Sequence, residues 1–251
     1  HHRWLTIEVC GLKGGHSGDN INDGLGNSNK ILARLLLEAT ERCGARIALL
    51  EGGNLRNAIP REAKAIVGLP DGELFMEFVE RYVAFADEVA AELQYSDSGF
   101  LMRAEECEPA EKVIDSQTQY NLLRALVGVP NGVLAMSHAM PGLVETSTNL
   151  ASVKFAEGCQ IKVVSSQRSS VESSKLYAAR TVDTVFALAG AEVWHGDGYP
   201  GWAPNPNSHL LEVAAETYKE LFGKQPVVRA IHAGLECGLF LEKYPHLEMI
   251  S

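Results

Sequence analysis

Arg3-Trp-Leu-Thr-Ile-Glu-Val-Cys10 followed by Gly11-Leu-Lys-Gly-Gly-His-Ser-Gly18 is the stretch from which the fold is read. The first half alternates apolar and polar residues as a half-buried strand does, and Leu25 to Leu37 beyond it carries apolar residues at helical spacing. The glycine-rich segment is therefore a strand-to-helix connection. Glycine permits backbone conformations closed to other residues, so the sequence predicts a tight turn that holds His16 at its tip and presents the ring outward. A turn whose histidine merely bonds a backbone carbonyl is the simpler account of the same residues. A serine nucleophile at Ser17 is set aside, because a nucleophile elbow needs glycine two residues after the serine, where Asp19 stands, and no oxyanion-loop partner is evident.

Working outward, periodicity predicts strands at Arg46–Glu51, Glu62–Leu69 and Phe100–Ala104, and helices at Gly24–Thr40 and Glu73–Leu93. The order βαββαβ is the split-βαβ, ferredoxin-like pattern, with helices on one face of a mainly antiparallel sheet. A second block follows, with a helix at Ser116–Val127, strands at Glu145–Phe155 and Gln160–Ser166 joined by a Glu157-Gly158 turn, a helix at Ser170–Leu188 and a strand at Ala191–His195. The fold class is thus α+β, with two lobes sharing a sheet surface over residues 3–201.

Gly196-Asp-Gly-Tyr-Pro-Gly-Trp-Ala-Pro-Asn-Pro206 has the Gly and Pro density of a domain boundary. Beyond it the rhythm is α/β: a helix at Ser208–Phe222 capped by Ser208, a strand at Pro226–Ile231, a helix at Leu235–Glu242 and an apolar strand from Leu247. Residues 202–251 number only about fifty, too few to cover both faces of a parallel sheet. The expectation is a fragment that lacks the first half and the end of its second domain.

Composition narrows the function. A formal net charge of -10 and no basic tract argue against nucleic-acid binding. No apolar run approaches membrane-spanning length. Five cysteines without CxxC spacing fit reduced thiols and a cytoplasmic setting. His1-His2 reads as the remainder of a purification tag.

Four local patterns carry chemistry: Gly14-Gly-His-Ser-Gly18; Gly52-Gly-Asn-Leu-Arg-Asn-Ala-Ile-Pro60 with Arg61-Glu-Ala63; Ser165-Ser-Gln-Arg-Ser-Ser170; and Ile231-His-Ala-Gly-Leu-Glu-Cys-Gly238. Together and in this order they resemble the M20 metallopeptidases, and within them the aminoacyl-histidine (Xaa-His) dipeptidase branch, to which Val144-Glu-Thr-Ser-Thr-Asn-Leu150 is also similar. The resemblance runs from about Trp4 to the end. It implies a lid domain at 3–201, with a substrate-holding and dimerising role, and a partial zinc-peptidase catalytic domain at 202–251.

By resemblance, His16 polarises the scissile carbonyl and stabilises the oxyanion, a task suited to a ring N–H donor. Asn57 bonds the substrate backbone, Arg168 clamps the C-terminal carboxylate with its guanidinium fork, and Gly234 lets the backbone approach the substrate. Read without the resemblance, Asn57 is a turn residue, Arg168 a solvated strand end and Gly234 a helix-start glycine. The resemblance also implies two zinc ions, or manganese, in a longer parent protein, where a metal-activated hydroxide attacks the peptide. Their ligands and the general base are expected outside this chain, so no metal is expected here. His195-Gly-Asp197 imitates a metal-binding His-x-Asp but lacks a nearby bridging carboxylate, and His232 with Glu236 leaves a zinc site incomplete. The resemblance implies a dipeptide substrate and admits a homodimer. A metal-free binding or dimerisation module is the rival reading.

Overall fold

The computed structural model describes residues 2–156, 160–203, 205, 207–228, 230, 232 and 236–250. It contains two compact units: 1–131 with 149–166 and 181–193, and 132–148 with 167–180 and 194–251.

In the first unit, β1 (His2–Cys10), α1 (Ser28–Cys43), β3 (Arg46–Gly52), β5 (Ala63–Pro70), α2 (Glu73–Leu93) and β6 (Leu101–Glu106) follow the expected βαββαβ order. Two-residue strands β2 (Gly15–His16) and β4 (Ala58–Ile59) pair separately. Hydrogen bonding orders the main strands β6-β1-β5-β3, every pair antiparallel, with Ile7 opposite Ala65 on one side and Ala104 on the other. This is the split-βαβ arrangement that the alternation predicts. Leu5, Ile7 and Val9 are buried while their neighbours are not, so one face of β1 meets the core. Ile31, Leu32, Leu35, Leu36, Ala39 and Cys43 of α1, and Phe75, Phe78, Phe85 and Val89 of α2, recur at helical spacing and fill that core.

The helix α1 starts at Ser28 rather than Gly24, because Gly24 takes a left-handed φ of 71° and the Asn27 side chain caps the helix by accepting from the Lys30 N–H. It runs on to Cys43 and ends at Gly44, the left-handed cap. Helix α3 (Ser116–Gly128) packs on α1, and the buried Gln119 binds it to β3 by accepting from the Ile47 N–H and donating to the Ala45 carbonyl. Lys30 donates to the carbonyls of Leu126, Val127 and Val129 at the end of α3, and burial pulls its ammonium down to about 8.

Three further elements thread through both units: β8 (Val144–Ala156), β9 (Gln160–Ser169), which pairs with it, and α4 (Glu172–Leu188). In the first unit β8 meets β3 at Gly52 and Val153, and Val182 and Phe186 of α4 join the core. In the second, β7 (Gly132–Met136) pairs with the start of β8, a strand that the sequence does not announce because its residues are half-exposed. Helices α5 (His209–Phe222) and α6 (Glu236–Lys243) lie in the second unit, and Ser208 caps α5 as expected.

Three expected strands are absent among the described residues. Ala191–His195 is irregular: the chain turns at Gly190, and the alternation comes from Val193 alone packing on the core. Residues 226–228 and 230 and residues 247–250 form no ladder. Apolar composition without a partner strand does not make a strand. The Glu157-Gly158 turn, Cys159, Arg229, Ile231, Gly234 and Leu235 lie outside the described residues.

The glycine that follows β3 is structural. Gly53 has φ 70°, and a Cβ there would sit 1.9 Å from the Ala151 carbonyl oxygen of β8. Gly53→Ala is expected to destabilise the chain by several kcal/mol, whereas Gly44→Ala, left-handed but unobstructed, costs about 1–2 kcal/mol. Urea unfolding measures both; equal losses would show that close approach of backbones is not what demands Gly53.

Candidate functional site

His16 sits near the start of a loop whose two ends are tied to one carboxylate. Asp97, fully buried, accepts from the Lys13 N–H at 3.0 Å and from the Gly26 N–H at 3.1 Å. The Lys13 ammonium also donates to the Ser96 carbonyl. Between these anchors, Gly15 and His16 pair with Ile59 and Ala58, and the Ser17 N–H donates to the Asn57 carbonyl at 2.8 Å. His16 therefore belongs to a two-residue strand preceding a turn, rather than to the turn's tip as expected. The flanking glycines have separate causes. Gly14 takes φ 63°, and a Cβ on Gly15 would lie 2.8 Å from the Asn20 side chain.

Asn20 locks that turn. Its Oδ1 accepts from the His16 N–H at 3.0 Å, its own N–H donates to the His16 carbonyl at 2.9 Å, and its Nδ2 donates to Asp23 at 2.8 Å. The ring is oriented by backbone: Nδ1 accepts from the Gly18 and Asp19 N–H groups, each at 3.3 Å. A nitrogen receiving N–H groups must offer its lone pair, which places the neutral ring's proton on Nε2. The side chain is 41% exposed, so Nε2–H is a donor available to a ligand. Asp19 Oδ2 lies 3.4 Å from Nδ1 but is exposed, and it is no ion-pair partner for the neutral ring.

Asn57 enters this ladder opposite Ser17, next to Ala58, the residue that faces His16. Its side chain is exposed and makes no hydrogen bond among the described residues, while its carbonyl is held by Ser17. Three more carbonyls of the same segment are engaged: Ala58 by the Asn149 side chain at 2.8 Å, Pro60 by the Ser28 N–H at 3.0 Å and Glu62 by the Gly53 N–H at 3.3 Å.

Arg168 lies in the second unit, on β9, and is half-buried. Its neighbours Gln167 and Ser169 bond Thr148 and Thr146 of β8, so strand alternation puts Arg168 on the other face of β9. His232, read as half of a metal pair, is buried with Nε2 2.8 Å from the Ser147 hydroxyl. His195 is exposed. Among the described residues no three His, Cys, Asp or Glu side chains gather to hold a metal ion.

Asp97, Asn20 and Asn149 escape a reading of the sequence. Asp97 sits in a Ser-Asp-Ser-Gly run that reads only as a loop, and nothing local links it to residues 84 and 71 positions away. Asn20 was closer to hand, since asparagine in a glycine-rich turn commonly bonds nearby backbone.

Residues 4–94 match the family model described as the peptidase dimerisation domain of M20. Residues 4–94 are thus a dimerisation domain of the M20 peptidase type. Over 98% of its length the chain is 36% identical to the cytosol non-specific dipeptidase of Escherichia coli strain K12, and it covers 50% of that protein. It is likewise similar to the crystal structure of aminoacylhistidine dipeptidase from Vibrio alginolyticus, at 35% identity and a TM-score of 0.91, covering 97% of this chain and 49% of that one. The chain thus spans about half the length of both M20 relatives, and His16 and Asn57 both fall within the matched dimerisation domain.

The geometry predicts that neutral His16 is the Nε2–H tautomer. Histidine ring nitrogen shifts, measured by long-range proton–nitrogen correlation, should show Nδ1 as the unprotonated nitrogen. A protonated Nδ1 in the neutral ring would contradict the two backbone contacts.

Proposed function

We propose that this chain is the substrate-holding part of a dipeptidase that cleaves Xaa-His and related dipeptides. The observation that carries the reading is the fixed His16 ring: two backbone N–H groups occupy Nδ1, leaving Nε2–H to donate, while the carboxamide of Asn57, next in chain to the residue opposite His16, is exposed and makes no hydrogen bond among the described residues. In this role Nε2–H donates to the carbonyl oxygen as negative charge develops on it, and Asn57 bonds the peptide backbone. Arg168 clamps the free carboxylate of the substrate, since a planar guanidinium matches a carboxylate in a way an ammonium does not. Gly234 gives the substrate room against the backbone.

The resemblance implies two zinc ions, with manganese as the alternative, which would supply an activated hydroxide. The described residues do not fit such a site, and no step above runs through a metal. Residues 202–251 are read as part of a catalytic domain. A dimerisation-domain match supports a homodimer, and a cytoplasmic location is supported by the name of the Escherichia coli relative. No helix among the described residues is long and apolar enough to cross a membrane. Cys10, Cys43, Cys107 and Cys237 form no disulfide among the described residues. That same match also favours the rival reading, a dimerisation module without catalysis.

The test uses a protein of the relatives' length that carries this chain. His16→Ala is expected to lower kcat about a hundredfold or more and to melt close to the parent, because the ring is substantially exposed. Arg168→Lys is expected to raise KM more than it lowers kcat, and amidating the dipeptide's C-terminus should reproduce that defect in the parent protein. An active His16→Ala protein would refute the reading of His16, and equal cleavage of free and amidated dipeptides would refute that of Arg168.

A further inference from the structure

We propose that Asn149 is a positioning residue for His16, acting through the carbonyl of Ala58. The proposal rests on the reading of His16 as a donor to substrate. Ala58 is the residue directly opposite His16 in the β2–β4 pair. The ladder bond falls at the next pair, Ser17 N–H to the Asn57 carbonyl, so His16 and Ala58 exchange none: the His16 N–H goes to the Asn20 side chain and the Ala58 carbonyl points away from β2. That carbonyl is met by Asn149 Nδ2, at 2.8 Å, from a strand 91 residues further along the chain.

Asn149 is only 1% exposed, and its Oδ1, also buried, accepts no hydrogen bond among the described residues. A half-satisfied carboxamide is a poor way to fill a core, because the unpaired oxygen has lost its water without compensation. An apolar side chain of the same size would avoid that cost. What the carboxamide supplies, and leucine cannot, is the N–H that fixes Ala58. Two short strands of two residues each have little stability of their own. With Ala58 anchored to β8, the strand opposite His16 is fixed to the main sheet, and the ring inherits that position. The same N–H also sets the amide's orientation, since a carbonyl facing Ala58 would be repelled.

Asn149→Leu keeps the branched shape, in a somewhat larger side chain, and removes both the N–H and the orphaned oxygen. In the 251-residue chain uniformly labelled with nitrogen-15, this variant is expected to melt near the parent while the amide signals of Gly15 to Asp19 and the His16 ring nitrogens shift. In a protein of the relatives' length, kcat is expected to fall about tenfold to a hundredfold with KM little changed, the signature of a misplaced group. Should Asn149→Leu fail to fold, Asn149→Ser, which is smaller and falls short of Ala58, is read the same way. Unmoved loop and ring signals in a folded variant would overturn the proposal. Shifted signals with full turnover would uphold the hold of Asn149 on His16 and overturn the role of His16 in the reaction.

Discussion

The carbonyl oxygens of Asn57, Ala58, Pro60 and Glu62 are each taken by a donor from a different part of the first unit: the turn after β2, strand β8, the start of α1 and the end of β3. A segment with so little regular structure would ordinarily leave its carbonyls to water. Here four separate donors fix one short stretch, and the stretch in turn sets the position of everything attached to it. Strand β2 takes its register from Ala58 and Ile59, and the entry to α1 is fixed because Ser28, its first residue, donates to Pro60. Gly53 must be glycine so that β3 can turn back to Glu62 while passing the Ala151 carbonyl.

The functional reading depends on the same segment. An oxyanion donor is useful only when its N–H is already aimed before charge develops. His16 is aimed by three layers of restraint: backbone N–H groups on its ring, Asn20 on its backbone, and the ladder to Ala58. Asp97 adds a fourth by closing the loop ends, which limits how far the histidine can drift. The ring nonetheless remains exposed, as a group that meets substrate must be.

The βαββαβ half of the fold was legible because its strands and helices each bury one face, so β1 and α2 were read with their true spans or within a residue of them. The start of α1 was misread because the apolar spacing reaches back through Leu25, whereas the left-handed Gly24 and the Asn27 cap decide where helix begins. Strands β2, β4 and β7 are too short or too exposed to show alternation. At the site, His16 and Asn57 could be named from their glycine-rich surroundings and the family likeness. Asp97 could not, and Asn149, although it lies within the 144–150 stretch that shares the family likeness, had no role legible there, because the partners of both are distant in sequence.

The most direct measurement of the central claim is amide hydrogen exchange at Ser17, Ser28 and Gly53, whose N–H groups hold the segment from Asn57 to Glu62. If that segment is the fixed frame of the site, all three amides exchange slowly and together, through opening of the core rather than of the loop. Exchange as fast as at the exposed loop residues Leu55 and Arg56 would contradict it, and His16 would then stand on a loop without a rigid support.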